Sequence, residues 1–233
     1  IARFFGSAAM IRMTDVSKTF TMHNQGGAEL EVISKASLHV DPGECVALAG
    51  VSGSGKSTLL RMIYGNYVSA SGSITVGDVD VVRADPRTLI RLRQDTIGYV
   101  SQFLRVVPRV PTIDVVAEPA LQAGMGTDQA YDRAAELLTR LRIPERLWSL
   151  SPLTFSGGEQ QRVNIARGFA RYYPALLVDE PTASLDGENR GTVLDLITEA
   201  KNNGVAILGI FHDAPAREQV CDREIDVSEF KAA

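Results

Sequence analysis

The segment that most constrains this chain is Gly50–Thr58, whose sequence GVSGSGKST fits the pattern G-x-x-x-x-G-K-[ST] at every fixed position. It follows the apolar run Cys45–Ala49 and precedes apolar residues at helical spacing, Leu59, Leu60 and Ile63. A strand, a glycine-rich loop and a helix in this order form a phosphate-binding loop, because glycines let successive backbone N–H groups point at oxyanions. The N-terminal end of the helix adds partial positive charge. The segment therefore predicts a nucleotide site.

Residues within this loop have expected roles. The Lys56 ammonium is expected to reach the outer phosphates, and the Ser57 hydroxyl is expected to coordinate Mg²⁺. A glycine-rich loop that precedes a lysine by coincidence is the alternative, and the flanking strand and helix argue against it. The predicted nucleotide-binding set in this segment is Gly50, Ser52, Gly53, Ser54, Gly55, Lys56, Ser57 and Thr58.

A second apolar run, Ala175–Val178, ends in two acidic residues. Four successive apolar residues are typical of a strand that is buried on both faces, as in a parallel sheet. Ligands of open α/β sheets bind at the carboxyl ends of strands, so Asp179 and Glu180 are expected to face the phosphates. Asp179 is predicted to hold Mg²⁺, and Glu180 to act as the general base on the attacking water. Solvated acids at a strand end are the alternative, which the phosphate loop disfavours.

A third segment, Phe155–Arg162, carries a helix start signal. Ser156 and Glu159 have the S-x-x-E spacing of a capping box, and Gly157 and Gly158 leave the first amides of the helix open. Open amides at a helix N-terminus predict a second anion site, distant in sequence from the first. Taken alone, an ordinary capped helix is an equally good interpretation.

Together these segments resemble the ABC-type ATPase superfamily, in which a Leu-Ser-Gly-Gly-Gln signature of one subunit binds the γ-phosphate held by the loop of another. Here Phe155 replaces the leucine and Glu159 the glutamine, while the serine and both glycines are kept. The resemblance covers residues 10–228. It implies ATP and Mg²⁺ as cofactors and a dimer of ABC domains, formed with a second copy or with a different ABC subunit.

Further residues fit positions of this superfamily in order. Gln102 matches the glutamine that senses the metal and the attacking water, and His212 the histidine that contacts the γ-phosphate. Ser184 and Asp186 match the loop that crosses the dimer interface. Phe20 lies where the superfamily places an aromatic ring on adenine, although a phenylalanine after a strand is more often a core residue. The resemblance thus implies catalytic roles for Glu180, His212, Gln102 and Lys56, metal binding by Ser57, Gln102 and Asp179, and a dimer interface at Ser156, Gly157, Gly158, Glu159, Ser184 and Asp186.

The alternation of short apolar runs with helical spacing predicts one α/β domain on a largely parallel sheet. Strands are predicted at Ile11–Val16, Glu31–Val40, Glu44–Ala49, Ser73–Val76, Ala175–Val178 and Val205–Phe211, and helices at Asp128–Leu141, Glu159–Arg171 and Glu188–Asn202. Pro108, Pro111 and Pro119 are expected to interrupt the chain before the first of these helices.

The resemblance implies a P-loop NTPase fold with a RecA-like core, an antiparallel β subdomain and a helical subdomain. Residues 1–9 are expected to be a mobile leader and residues 10–233 a single ABC ATPase domain. Within it, residues 10–107 and 156–233 would form the core with the β layer, and residues 108–155 the helical subdomain.

Composition limits the possible partners and the location. The net charge of −4 over 233 residues argues against a nucleic-acid binder, since proteins that track phosphates carry a basic excess. Arg87, Arg91 and Arg93 lie at helical spacings and are expected to form a solvated face. Cys45 and Cys221 have no metal-binding spacing and indicate free, buried thiols of a reducing compartment. No apolar run reaches the roughly 18 residues of a membrane span, so we expect a cytoplasmic protein without direct membrane insertion.

Three stretches outside the shared motifs narrow the resemblance: Ser101–Arg109, Pro144–Trp148 and Gly209–Asp213. They are similar to the ABC-type subunits of bacterial carbon–phosphorus lyase systems. This similarity implies an ATPase that supports formation of ribose 1-phosphonate 5-triphosphate from ATP and phosphonate, with soluble subunits of the lyase core complex as partners. The motor subunit of a membrane transporter is the main alternative, and a monomeric nucleotide-dependent enzyme such as a kinase is a third.

The segment after Gln102 would then be the surface that contacts the partner. Core packing of Phe103, Val106 and Val107 is an equally good interpretation of the same residues. Trp148 is expected in the core of the helical region rather than at an interface.

Overall fold

The structure, a computed structural model, describes residues 9–22 and 27–231. The expected leader therefore lies outside the described residues, except for Ala9. The strands are β1 (Ile11–Met22), β2 (Ala28–Val40), β3 (Cys45–Ala49), β4 (Ser71–Val76), β5 (Val79–Asp80), β6 (Ile97–Val100), β7 (Ala175–Asp179), β8 (Ala206–Ile210) and β9 (Arg223–Asp226). The α-helices are α1 (Lys56–Ile63), α2 (Pro86–Asp95), α3 (Thr112–Gln122), α4 (Thr127–Arg140), α5 (Gly157–Gly168), α6 (Gly187–Asn202) and α7 (Ala214–Val220).

Two sheets carry the fold. An antiparallel sheet has the strand order β2-β1-β4-β5, and a parallel sheet has the order β6-β7-β8-β3-β9. The strands β6, β7, β8 and β3 are direct neighbours, so the segments that follow them leave the same edge of the sheet. Those segments carry Gln102, Glu180, His212 and the phosphate loop. The topology therefore brings four regions that are distant in sequence to one place.

Burial explains why the parallel strands could be recognised from sequence. Every residue of β7 and β8 is buried, as expected where helices cover both faces of a sheet. The predicted elements are present in the structure with shifted boundaries. In particular, β1 continues past Val16 to Met22, beyond a change of register on both sides. The sequence interpretation did not include β6 or β9, which are four residues each.

Helices α3 and α4 occupy the region between β6 and β7, where a helical subdomain is expected. Pro111 precedes α3, as predicted for a helix boundary, but Pro119 lies inside the helix. The expected interruption at Pro119 was wrong: α3 continues to Gln122, so the lost N–H bond and the bulk of the ring affect only the last turn of the helix. Trp148 packs against the core, and its Nε1 donates a hydrogen bond to the Ile143 carbonyl oxygen at 2.9 Å. The subdomain boundaries stay a prediction.

Two cysteines that are far apart in sequence meet beside the phosphate-loop strand. Cys45 opens β3 and is buried, Cys221 follows α7 and is half-buried, and their Sγ atoms are 3.6 Å apart. The hydrogen bond with Cys221, together with burial, raises the pKa of the Cys45 thiol far above its ordinary value. Both are free thiols, as predicted, although only Cys45 is fully buried.

No helix among residues 9–22 and 27–231 combines the length and the apolar character that crossing a membrane requires.

The irregular part of the pairing between β1 and β4 depends on one glycine. Gly72 has φ of +81°, and a Cβ there would lie 2.5 Å from the carbonyl oxygens of Thr14 and Asp15. Gly124 has φ of +82°, but a Cβ there would meet no described atom within 4 Å. We expect Gly72→Ala to lower the free energy of unfolding by about 3 kcal/mol. Gly124→Ala, which tests the backbone conformation alone, should lower it by about 1 kcal/mol. Urea denaturation measures both, and equal losses would contradict a steric role for Gly72.

Candidate nucleotide site

The phosphate loop adopts the conformation that its glycines predict. Gly50, Gly53 and Gly55 have φ of +125°, +78° and +100°, values that residues with a side chain rarely adopt. At Gly55 a Cβ would also lie 2.5 Å from Cδ1 of Ile33 on β2, so a side chain there would have to displace the end of this isoleucine. The loop ends where α1 begins, at Lys56. Its amides and the positive end of α1 therefore face the same space.

A cation inside the loop fits a bound oxyanion. The Lys56 ammonium is buried, lines the phosphate cavity and donates hydrogen bonds to the carbonyl oxygens of Gly50 and Val51 at 2.6 and 2.9 Å. The Ser54 Oγ atom is buried and has no hydrogen-bond partner among the described residues, but Ser54 does not line this cavity. Lys56 and the glycines of the loop thus fit the phosphates that the sequence predicts.

A pair of oxygen ligands lies beside the loop. Asp179 ends β7 and is 3% exposed, and its Oδ1 accepts a hydrogen bond from the Ser57 hydroxyl at 3.4 Å. Its Oδ2 accepts a hydrogen bond from the Tyr99 hydroxyl at 3.1 Å. Burial raises the pKa of Asp179 above its usual range, although the Tyr99 hydrogen bond opposes this effect. A carboxylate and a hydroxyl are hard oxygen ligands that suit Mg²⁺, which completes its shell with water and phosphate oxygens.

Glu180 is held from two sides. Its Oε2 accepts a hydrogen bond from Nε2 of Gln102 at 3.1 Å, and its Oε1 lies 2.7 Å from Nε2 of His212. The residue itself has φ of +54°, an uncommon conformation for a non-glycine residue and one that is found at functional sites. A carboxylate fixed in this way is oriented for accepting a proton. The structure therefore brings together three of the four residues predicted to be catalytic.

The fourth, Lys56, lines the same cavity as Glu180 and His212. This cavity of about 210 Å³ also includes Ser57 and the loop residues Ser52 and Gly53. Gln102 does not line it, and its Nε2 donates to Glu180 Oε2. Its role as a metal ligand stays a prediction.

The predicted signature forms the capping box that its spacing indicates. Ser156 is the N-cap of α5, and its Oγ accepts a hydrogen bond from the Glu159 backbone N–H at 3.4 Å. Glu159 Oε2 in turn accepts hydrogen bonds from the backbone N–H and the hydroxyl of Ser156, at 2.9 and 2.7 Å. The Ser156 hydroxyl bond lowers the pKa of Glu159, and the backbone bond adds to this effect. Ser156 and Gly157 are exposed, and this segment contributes no residue to the phosphate cavity of the described chain.

The loop between β7 and α6 lies against the signature. A Cβ at Gly158 would lie 3.4 Å from the carbonyl oxygen of Ser184, which has φ of +60°. Asp186 is the N-cap of α6 and accepts a hydrogen bond from the Asn189 backbone N–H at 2.9 Å. Ser184 and Asp186 are both exposed. This capping contact gives Asp186 a local structural role beside its predicted place at an interface.

Sequence reasoning missed two residues that support the site. Tyr99 bonds Asp179, as described above. The buried Gln161 side chain reaches back from α5 to the carbonyl oxygens of Glu180 and Pro181, at 3.4 and 3.5 Å. Gln161 thereby couples the signature helix to the acidic strand end. A glutamine at a buried position of α5 is the signal that could have indicated it.

Phe20 lies on β1, away from the phosphate cavity. Its ring contacts the Tyr67 ring edge to face, with centroids 5.4 Å apart, and the Lys18 ammonium lies 4.8 Å from its centroid. The ring is half-buried. Its expected contact with adenine stays a prediction.

Comparisons with known proteins agree with this geometry. The sequence model of the family described as ABC transporter matches residues 33–183. The lipoprotein-releasing system ATP-binding protein LolD of Idiomarina loihiensis is 35% identical over 91% of this chain and 92% of its own length. The macrolide export ATP-binding/permease protein MacB of Marinobacter nauticus is 36% identical over 94% of this chain, which spans only 33% of that protein.

Solved structures extend the likeness to the fold. The dimeric structure of MJ0796, a bacterial ABC transporter cassette, superposes with a TM-score of 0.85, at 28% identity, over 94% of this chain and 95% of that chain. A second structure of MJ0796, a post-hydrolysis dimer bound to ADP and Pi, gives the same values. The fold is that of a P-loop NTPase, and ATP with Mg²⁺ is what an ABC ATPase domain of this kind binds. The chain belongs to the ABC transporter family of ATP-binding domains.

Proposed function

We propose that this chain hydrolyses ATP as half of a dimer and that closing and reopening of the dimer drives a partner assembly. The observation that carries the proposal is the separation of two anion-binding segments. The phosphate loop, Glu180 and His212 share one cavity, whereas the signature residues Ser156–Glu159 lie outside it. Two chains facing each other would place the signature of one against the nucleotide of the other.

In this mechanism a water molecule attacks the γ-phosphorus and Glu180 accepts its proton, while the bond from the γ-phosphorus to the β,γ-bridging oxygen breaks and ADP leaves. Gln102 and His212 keep the Glu180 carboxylate in place, since each contacts a different oxygen of it. Lys56 and the loop amides stabilise the charge that develops on the transferred phosphoryl group. Ser57 and Asp179 would hold Mg²⁺, which neutralises charge on the phosphate oxygens when it is bound.

The relatives favour the motor subunit of a membrane transporter as the larger function. LolD, which this chain matches over nearly the full length of both, is an ATP-binding protein of a lipoprotein-releasing system. MacB combines an ATP-binding part with a permease in one protein. We therefore propose a partner with membrane-spanning subunits, and a cytoplasmic location for the ATPase dimer itself. The dimer could contain two copies of this chain or one copy with a different ABC subunit.

A soluble carbon–phosphorus lyase assembly is the second candidate. It rests on the similarity of Ser101–Arg109, Pro144–Trp148 and Gly209–Asp213 to the ABC-type subunits of that system. None of the relatives named above is such a subunit. In this case the ATPase would support formation of ribose 1-phosphonate 5-triphosphate within a complex of soluble subunits.

Affinity capture from phosphate-starved cells, followed by mass spectrometry, separates the two candidates. A permease recovered without lyase subunits supports the transporter. Soluble lyase subunits recovered without a permease support the second candidate, as would loss of phosphonate-dependent growth in cells that carry Glu180→Gln. ATP hydrolysis that persists in a strictly monomeric chain would overturn the dimer proposal for both.

The segment after Gln102 is our proposed contact surface for the partner. Phe103 and Val107 are each 70% exposed, while Val106 packs against the core. Val106 and Val107 line a groove of about 750 Å³ that α3 completes with Val115 and Leu121. An exposed apolar surface beside Gln102, which is predicted to sense the metal and the attacking water, suits a partner that must respond to the nucleotide state.

We expect Val107→Asp to reduce recovery of the partner at least about tenfold, because burying a carboxylate in an apolar contact is strongly unfavourable. ATP binding should be unchanged, since Val107 does not touch the nucleotide site. The matched control is Val68→Asp, at a valine that is 73% exposed elsewhere on the surface. Equal recovery with both variants would show that the partner docks on another surface.

A further inference from the structure

A second cavity lies apart from the nucleotide site, between the parallel sheet and the helical region. Its volume is about 260 Å³, and it is lined by β6 and α2 on one side and by α3 and α5 on the other. Three arginines from two segments line it: Arg93 of α2, and Arg167 and Arg171 at and just after the end of α5. It shares no lining residue with the phosphate cavity.

Two of the guanidinium groups are held in place by tyrosine rings and backbone oxygens. Arg93 lies 4.9 Å from the centroid of the Tyr64 ring, and its Nε donates to the Tyr64 carbonyl oxygen at 3.0 Å. Arg171 lies 4.8 Å from the centroid of the Tyr173 ring, and its Nε donates to the Tyr172 carbonyl oxygen at 3.4 Å. Contacts of this kind orient a guanidinium without neutralising its charge. Both groups therefore present a fixed positive charge to the cavity.

The charge of the cavity is not balanced by its own lining. Among the described residues that line it there is no carboxylate, and within the described chain Arg93 and Arg171 form no ion pair. Arg167 pairs with Glu118 at 3.0 Å. Like charges that line one partly enclosed space repel one another. A bound anion would relieve this repulsion.

The rest of the lining fits an anion that carries an organic group. The Tyr64 and Tyr173 side chains add hydroxyl groups to the lining, and burial raises the pKa of both. Ile90, Ile97 and Pro119 supply apolar surface beside the arginines. Guanidinium forks match phosphate oxygens in geometry, and a dianion suits three cations better than a carboxylate does.

We propose that this cavity binds a small phosphoryl anion, phosphate or a phosphate monoester, as a ligand distinct from ATP. The inference goes beyond ATP hydrolysis, since it assigns a second ligand to the chain. Because α2 and β6 belong to one side of the cavity and α3 and α5 to the other, the ligand would join the sheet to the helical region.

The test is isothermal titration calorimetry with phenyl phosphate, inorganic phosphate and benzoate. The protein is first saturated with Mg²⁺ and the β,γ-imido analogue of ATP, so that the phosphate loop is filled to its γ position. We expect saturable binding of phenyl phosphate and of phosphate at one site per chain, and much weaker binding of benzoate. Arg93→Gln and Arg171→Gln should each weaken phenyl phosphate binding roughly 10- to 100-fold, the value of a charge-assisted hydrogen bond.

Arg91→Gln is the matched control, since Arg91 lies on the same helix, is exposed and does not line the cavity. The affinity of this variant for phenyl phosphate should stay within about twofold of that of the unchanged chain, because the variant keeps all charge-assisted hydrogen bonds to the ligand. Arg171→Lys keeps the positive charge but loses the paired donors of the guanidinium group, so it should bind phenyl phosphate with intermediate affinity. This variant provides the test even if the glutamine variants unfold. No saturable binding of either phosphate compound would overturn the proposal. So would benzoate binding as tightly as phenyl phosphate, or equal weakening by Arg91→Gln.

Discussion

Glu180→Gln is expected to lower ATP turnover at least about a hundredfold while leaving ATP bound, because it removes the proposed proton acceptor. The amide keeps the size of the carboxylate and can still contact Gln102 and His212. The phosphate loop and the metal-side residues are unchanged by it. The variant should therefore accumulate with ATP in place, and the ATP-bound dimer should become the main species by gel filtration with light scattering.

The control is Glu218→Gln, which makes the same chemical change at an exposed position of α7. Its turnover should equal that of the unchanged chain. Residual turnover above about a tenth in Glu180→Gln would mean that another group accepts the proton or that proton transfer contributes little to the barrier. Loss of ATP binding in the same variant would instead point to a structural role of Glu180, consistent with its unusual backbone conformation.

Ser156→Arg is expected to reduce turnover by a similar factor for a different reason. The arginine side chain would replace the exposed N-cap hydroxyl of α5 and occupy the space in front of its first amides. Removal of one group that stabilises a developing phosphate charge lowers rates by about 100- to 1000-fold, and the added bulk also opposes approach of a second chain. Binding of ATP to the loop of the same chain should persist, because Ser156 does not line that cavity. Equilibrium binding of a fluorescent ATP analogue, beside a phosphate-release assay, separates the two effects.

A mixing experiment sharpens this prediction. Lys56→Ala disables the phosphate loop and Ser156→Arg disables the signature, so each variant alone should be inactive. A mixed dimer has one composite site in which both segments are intact, and mixing should restore measurable turnover. Ser149→Arg, at an exposed serine before the signature, is the control and should remain active alone. If Ser156→Arg hydrolyses ATP without a partner, one chain completes its own site and the dimer proposal is wrong.

Local patterns were sufficient to predict the parts of the site that lie in single segments. The phosphate loop needs three glycines and a lysine in one stretch, and the capping box of Ser156 and Glu159 needs only four residues. The buried strands β7 and β8 were recognisable because strands that are buried on both faces form short continuous apolar runs. In these cases the residues that determine the local structure are close together in the sequence, so a short stretch is enough to predict it.

Contacts between distant segments were the part that the sequence did not reveal. Arg93 was expected on a solvated face with Arg87 and Arg91, and those two are exposed, but Arg93 instead lies over the Tyr64 ring. The spacing of α2 gave no sign of this, because the ring belongs to the turn after α1. The contact between Cys45 and Cys221 was not predicted for the same reason, since these residues are 176 positions apart in sequence. The short strand β6 was missed because Gly98 interrupts its apolar run, and glycine is a weak strand former.

The order β6-β7-β8-β3 also has a consequence for how the chain acquires its activity. The segment that follows each of these four strands supplies a different part of the site. β3 precedes the other three in sequence, yet in the sheet it lies between β8 and β9, the last two strands of the described residues. Pairing β3 with β8 closes a loop of some 160 residues, which makes this step intrinsically slow compared with local helix formation. The segment that carries His212 is also the last of these four segments to be synthesised. A nascent chain can thus acquire hydrolytic competence only after β8 and the segment that carries His212 have been synthesised and the parallel sheet has assembled.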